Sequence, residues 1–117
     1  MESTALQARA AARAQELPAA EMSRPFGEDW DVWKVRGRVF MLQTQATGEP
    51  LVILKSRPED SAALREAYTE ITPGYHMNKR HWITLSPGGL EAEFVRELVT
   101  DSYLCLLYTS DAADDSL

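Results

Sequence analysis

The residues best suited to chemistry lie in one run, residues 72–85, which holds both histidines and two adjacent cations. A Pro-Gly dipeptide at 73–74 is a turn signal, and the aromatic and β-branched residues at 82–85 are typical of a strand. The run therefore predicts a β-hairpin with Lys79 and Arg80 at its tip. Because such side chains bind phosphate groups, the tip is a candidate contact for nucleic acid.

The two histidines flank this tip and could instead hold a metal ion. If Asn78-Lys79 forms a two-residue turn, His76 and His81 lie directly opposite each other, with Cβ atoms about 5 Å apart. Imidazoles at that spacing can share a Zn²⁺ ion, but the sequence contains no third histidine. We therefore expect hydrogen-bonded structural histidines, no bound metal and no other cofactor.

Basic residues recur at the other predicted turns and strand ends. They are Lys34, Arg36 and Arg38 around the Arg36-Gly37 turn, and Lys55 at the end of the third strand. Cationic tips on two hairpins can straddle a DNA duplex and contact its phosphates, with His76 and His81 flanking the second tip. The alternative is an ordinary solvated surface, since lysine at a sheet edge discourages aggregation.

Aromatic residues form a third candidate group. In the hairpin register above, Tyr75 and Trp82 lie directly opposite each other on neighbouring strands, on the face of the sheet that His76 and His81 do not occupy. Alternation along the second strand places Trp82 on one face of the sheet and Ile83 on the other. If all helices cover one face, an exposed Trp82 beside Tyr75 forms a stacking platform or a partner-docking patch on the other. Burial of Trp82 in the core is the alternative.

The composition is that of one globular domain in a reducing compartment. With 117 residues, 44% hydrophobic and 26% charged, the chain can bury a core of its own. The one cysteine, Cys105, excludes an internal disulfide, and neither a signal segment nor an apolar run of membrane-spanning length is present. We therefore expect a cytoplasmic protein.

Charge is distributed unevenly along the chain, whose net charge is −6. Residues 34–81 hold eight Lys and Arg against five Asp and Glu, whereas the segments before and after are both acidic. The net charge counts against nucleic-acid binding, but the basic middle of the chain allows it. Catalytic motifs are absent from the sequence, and residues 86–89 are explained as a strand-to-helix turn, so we do not expect an enzyme.

Periodicity and turn signals predict the element order α-β-β-β-α-β-β-α. A helix spans residues 3–17, two strands lie within 30–44, a third strand spans 51–55, a second helix spans 58–68, and a third helix follows the hairpin from about residue 90. The predicted fold class is α/β, more narrowly α+β. It has two layers, with a five-stranded, mainly antiparallel sheet and helices on one face.

The end of the chain differs from the rest. Residues 105–117 show no helix cap, no turn signal and no hydrophobic periodicity, and they resemble a translated sequencing-adapter tail. We predict a single domain over residues 1–104, followed by a non-native or disordered tail over residues 105–117.

Several short motifs lie within residues 5–103. They are Pro25-Phe26-Gly27, Trp33-Lys34-Val35 with Gly37 and Phe40, Leu54-Lys55, Pro58-Glu59, and the ten residues from Pro73 to Trp82. With these motifs the chain resembles the MmcQ/YjbR family of small bacterial domains. The resemblance implies a two-layer fold of the CyaY-like type and a DNA-binding protein with two wings. The chain departs from the family pattern after residue 103.

The residues and the resemblance together predict a non-enzymatic DNA-binding protein. Its predicted phosphate contacts come from Lys79, Arg80, Lys34, Arg36 and Arg38. The alternative is a protein-interaction module that uses an open sheet face around Tyr75 and Trp82.

Overall fold

Nine helices and strands form the part of the chain that the computed structural model describes, residues 3–108 with the side chains of residues 5–107. The helices are α1 (Ser3–Glu16), α2 (Pro58–Ala67) and α3 (Ala92–Tyr108). The strands are β1 (Glu21–Ser23), β2 (Trp30–Val35), β3 (Arg38–Thr44), β4 (Leu51–Lys55), β5 (Ile71–Pro73) and β6 (Trp82–Leu85). These strands form one sheet in the order β1-β2-β3-β4-β6-β5, and each neighbouring pair is antiparallel.

The sheet has six strands, so the predicted number of five is wrong. The additional strand is β1, whose Glu21 pairs with Lys34 and whose Ser23 pairs with Val32 of β2. All three residues of β1 are exposed, and so no apolar alternation marks this strand in the sequence. The α+β class, the antiparallel sheet and the three helices are confirmed.

A β-bulge in β3 changes which residues face the core. Trp33 pairs with Met41, whereas the next residue, Lys34, pairs with Val39. Phe40 is therefore the extra residue of the bulge. Because of it, the successive residues Phe40 and Met41 are both buried in the same core cluster.

The helices form a layer on one face of the sheet. On α1 the buried residues are Leu6, Ala10 and Ala14, spaced one helical turn apart. On α3, Val95 and Val99 follow the same spacing and are fully buried. These apolar sides join the sheet in the main hydrophobic core, because burying one stripe of each helix removes its apolar surface from water.

The other face of the sheet carries a second core cluster. Its buried members are Val32, Val39, Leu42, Ile53 and Trp82, and the half-buried residues Trp30, Tyr75 and Met77 pack against them. Tyr75 and Met77 belong to residues 74–81, the loop between β5 and β6, which folds back over this face. The face without helices is therefore covered, and the expectation of an open aromatic face is wrong.

Helix α3 continues past the predicted end of the domain. The helix runs through residue 104 to Tyr108, and Leu106 is buried in the main core. The predicted boundary at residue 104 thus falls inside α3, while residues 109–117 of the predicted tail lie outside the described residues. Within residues 3–108, no helix combines the length and apolar character that a membrane crossing requires.

Candidate nucleic-acid interface

The sheet topology brings the predicted basic residues to one end of the molecule. The β2–β3 turn lies beside the last residue of β4, since Met41 of β3 pairs with Leu54 of β4. Lys55 in turn pairs with Trp82, the first residue of β6, and loop 74–81 immediately precedes Trp82. We call this end of the sheet the basic end. Its residues are Lys34, Arg36, Arg38, Lys55, Lys79 and Arg80.

The β2–β3 turn is a tight two-residue hairpin, as predicted. Arg36 and Gly37 both have positive φ values, 55° and 80°, which is the requirement of a type I′ turn. The guanidinium of Arg36 donates a 3.3 Å hydrogen bond to the carbonyl oxygen of Leu107 near the end of α3. Arg36 is exposed, whereas Lys34 and Arg38 are half-buried along the flanking strands.

Loop 74–81 replaces the predicted two-residue turn at Asn78-Lys79. The strands separate after Pro73 and Ile83, and the N–H of Gly74 donates a 2.9 Å hydrogen bond to the carbonyl oxygen of Trp82. The prediction of a tight turn is wrong because the intervening residues pack on the sheet through Met77 instead of continuing the ladder.

Asn78 gives the outer part of this loop its shape. Its side-chain oxygen accepts hydrogen bonds from the backbone N–H of Arg80, at 2.9 Å, and of His81, at 3.3 Å. This local capping leaves Lys79 and Arg80 exposed on the outer turn of the loop. The sequence does contain the signal, since asparagine commonly hydrogen-bonds the backbone two residues ahead.

The histidines do not face each other across paired strands. His76 is exposed with a φ of 60°, while His81 is half-buried and directly precedes β6. The predicted cross-strand pairing of His76 and His81 is therefore wrong. Among residues 3–108, no group of three His, Cys, Asp or Glu side chains is placed to hold a metal ion.

Trp82 is fully buried and is not a stacking platform. The ammonium of Lys55 lies 5.2 Å from the centre of the Trp82 ring, and Lys55 itself is only 6% exposed. A cation over an aromatic face is a favourable electrostatic contact, and it is stronger when water is excluded. Of the basic-end residues, Lys55 is therefore the one least able to reach a ligand.

Tyr75 has a different aromatic partner from the predicted one. Its ring is nearly parallel to that of Trp30, with centroids 6.1 Å apart and planes at 10°. The imidazole of His76 lies 4.1 Å from the Tyr75 ring, with the two planes at 50°. We call Trp30, Tyr75 and His76 the aromatic row. Trp30 was not predicted as a site residue, because the pairing depends on how loop 74–81 folds over β2.

The two ends of the sheet differ in charge. Within the described residues, Lys79 and Arg80 form no ion pair, whereas Arg57 is neutralised by Asp60 at 3.0 Å. That hydrogen bond and the carboxylate charge raise the pKa of Arg57. A cavity at the opposite end of the sheet is lined by the acidic residues Glu28, Asp29 and Asp31, together with Gln7, Gln43, Thr44 and Gln45. The molecule therefore carries positive charge at one end of the strands and negative charge at the other.

The fold and the basic end define a small α+β domain with one antiparallel sheet, helices on one face and cationic loops at one end of the strands. The chain belongs to the YjbR family, because the family model described as YjbR matches residues 15–105. The predicted family resemblance is confirmed.

Two relatives from Escherichia coli share this sequence pattern. The chain is 45% identical over 91 residues to the protein of strain O157:H7 called "Uncharacterized protein YbdF", covering 77% of this chain and 75% of that one. It is 34% identical over 89 residues to "Uncharacterized protein YjbR" of strain K12, covering 74% of each.

Solved structures share the fold. Deinococcus radiodurans protein DR2400 is 32% identical with a TM-score of 0.78, covering 89% of this chain and 80% of that one. A crystal structure of a Pseudomonas syringae protein, structural-genomics target PsR293, is 28% identical with a TM-score of 0.70, covering 80% of this chain and 92% of that one.

Proposed function

We propose that this YjbR-family chain is a non-enzymatic, cytoplasmic DNA-binding protein that contacts phosphates through its basic end. Lys79 and Arg80 of loop 74–81 make one set of contacts, and Lys34, Arg36 and Arg38 of the β2–β3 hairpin make the other. The observation that carries the proposal is the convergence of these two loops at one end of the sheet. They are distant in sequence, and only the strand order brings them together.

The strand ends from which the two loops emerge are separated by a distance similar to the width of a DNA groove. Three strand spacings lie between the middle of the β2–β3 hairpin and the middle of the β5–β6 pair, which corresponds to about 14 Å. The major groove of B-DNA is about 12 Å wide, so the two loops can reach phosphates on the two sides of one groove. Such contacts orient a protein on DNA and carry little sequence information of their own.

The acidic opposite end reconciles DNA binding with a net charge of −6. Glu28, Asp29 and Asp31 lie at the end of β2 remote from Arg36. A phosphate backbone is repelled from that end and attracted to the basic end, so the charge distribution favours one orientation. At physiological ionic strength the Debye length is about 8 Å, which makes the local charge more important than the net charge.

The test is fluorescence anisotropy of a labelled DNA duplex with the full chain, titrated at several salt concentrations. We expect binding that weakens steeply with salt, and loss of that binding in the double variant Lys79→Glu/Arg80→Glu. The matched control is Arg9→Glu/Arg65→Glu, which makes the same charge change on α1 and α2, away from the basic end. Circular dichroism establishes that both variants fold.

Two outcomes would overturn the proposal. One is full duplex binding by the Lys79→Glu/Arg80→Glu variant, and the other is equal loss in both double variants, which would indicate a response to net charge alone. Binding to a protein partner that does not change with salt would instead favour an interaction module around Tyr75.

A further inference from the structure

We propose that His76, the exposed member of the aromatic row, is a stacking site for an unpaired base, so that the protein prefers single-stranded DNA. The ring that receives the base is the imidazole of His76. This inference rests on the proposed DNA-binding function and adds the form of DNA that the site selects.

The three rings of the aromatic row differ in their exposure. Trp30 and Tyr75 are half-buried against the second core cluster, whereas His76 is exposed. The Tyr75 ring already has two ring neighbours, Trp30 at 6.1 Å and His76 at 4.1 Å. Of the three rings, His76 is therefore the one most accessible to another ring.

The backbone at His76 adopts a rare conformation. Its φ of 60° lies in the left-handed region, which residues other than glycine rarely adopt. Hydrogen bonds on both sides hold this conformation: the N–H of Tyr75 donates to the Thr84 hydroxyl at 2.8 Å, and the N–H of Met77 donates to the Gly74 carbonyl at 3.3 Å. A rarely adopted conformation that the surrounding structure maintains is common at binding sites.

Two cations lie close to His76 in the chain. Lys79 and Arg80 follow His76 within the same loop, and both are exposed. Because two residues separate His76 from Lys79 in the chain, a DNA strand with one base stacked on His76 can reach these two side chains with its adjoining phosphates. Aromatic stacking beside a cationic track is how proteins bind single strands without reading their sequence. In a duplex the base faces are covered by their neighbours, so only an unpaired base can use the ring.

The test compares three labelled ligands by fluorescence anisotropy with the full chain. They are an oligothymidylate, an abasic strand of the same length, and a duplex. The variants are His76→Asn, which removes the aromatic ring but tolerates a left-handed backbone, and His76→Tyr, which keeps a ring. Amide NMR spectra establish that the loop and the sheet retain their structure.

We expect His76→Asn to bind the oligothymidylate about 5- to 10-fold more weakly, since stacking of one base has an effect of this order. The same variant should bind the abasic strand and the duplex as the wild type does, and His76→Tyr should keep the wild-type preference for the oligothymidylate. Upfield shifts of the imidazole protons of His76 in the wild-type complex would report direct contact with a base.

Outcomes separate this inference from the function on which it rests. If the wild type binds all three ligands alike and His76→Asn changes none of them, the stacking site is overturned while DNA binding by the basic end remains. Equal weakening by His76→Asn on the abasic strand also overturns it, since no base is present there. If the wild type binds none of the ligands even at low salt, both proposals fail.

Discussion

Ser102 of α3 donates a 2.6 Å hydrogen bond to the carbonyl oxygen of Phe40, the bulged residue of β3. The same hydroxyl accepts a 2.8 Å hydrogen bond from the backbone N–H of Lys55. Regular pairing of β3 with β4 ends at Met41 and Leu54, so these two backbone groups lie just beyond the ladder. One buried side chain therefore satisfies both and connects α3 to the basic end of the sheet.

The first prediction concerns this hydroxyl. We expect Ser102→Ala to lower the free energy of unfolding by about 2–4 kcal/mol, because two buried backbone groups lose their partner. The matched control is Ser61→Ala on α2, since the Ser61 hydroxyl is also buried but has no hydrogen-bond partner among the described residues. The free energy of unfolding of that variant should equal or slightly exceed that of the wild type, because alanine is the better helix former. Urea unfolding followed by circular dichroism measures both, and equal losses would contradict the assigned role.

The second prediction concerns the contact between loop 74–81 and β6. A Cβ atom at Gly74 would lie 2.5 Å from the Cβ of Trp82, whose position is fixed by the sheet. We expect Gly74→Ala to cost about 1–3 kcal/mol of stability, because the backbones must separate. At Gly88 the corresponding clash, at 2.6 Å, is with the Cγ of Glu70, a side chain that can move away at the cost of its hydrogen bond from the N–H of Gly89 and without separating the backbones. Thermal unfolding should therefore rank Gly88→Ala as the milder change, and the reverse order would refute this account.

The third prediction is that the stability of the fold changes with pH through the carboxyl group of Glu70. A 2.7 Å hydrogen bond from the N–H of Gly89 to its carboxylate lowers the pKa of Glu70 below the ordinary value of 4.5. A carboxyl group with a lowered folded-state pKa stabilises the fold above its unfolded-state pKa, and this contribution is lost as the pH falls through the folded-state pKa.

Urea unfolding of the wild type and Glu70→Gln at a series of pH values tests this. The stability advantage of the wild type should be constant from pH 7 to about pH 5 and then shrink as the pH falls further. Glu66→Gln, an exposed change on α2, supplies the comparison. If the stability advantage of the wild type over Glu70→Gln instead grows as the pH falls, the pKa of Glu70 is not lowered in the folded state.

The fourth prediction gives the change in the salt dependence of DNA binding when the phosphate contact of Lys79 is removed. On a labelled duplex, Lys79→Gln should reduce the slope of log K against log salt concentration by about 0.9, the value for one phosphate contact. Arg9→Gln on α1 removes the same charge from an exposed position outside the basic end, and its slope should equal that of the wild type. Identical slopes for Lys79→Gln and the wild type would exclude Lys79 from the contact.

Local patterns in the sequence were sufficient to predict most of the helices and strands. The spacing of Leu6, Ala10 and Ala14 predicts the buried side of α1, and the apolar run at 51–55 predicts β4, buried along its whole length. Pro58 followed by two acids marks the start of α2. These predictions hold because a periodic apolar pattern has one favourable way to be buried.

The tertiary structure decided the arrangement of the candidate site. Strand β1 forms through backbone pairing with β2, and loop 74–81 is positioned by contacts of Tyr75 with Trp30, which belongs to a strand far away in sequence. The burial of Trp82 and the exposure of His76 both follow from that loop. The sequence alone determined which residues carry the charge and the aromatic rings. The grouping of the cations at one end of the sheet required the strand order, since contacts between distant segments leave no local period to read.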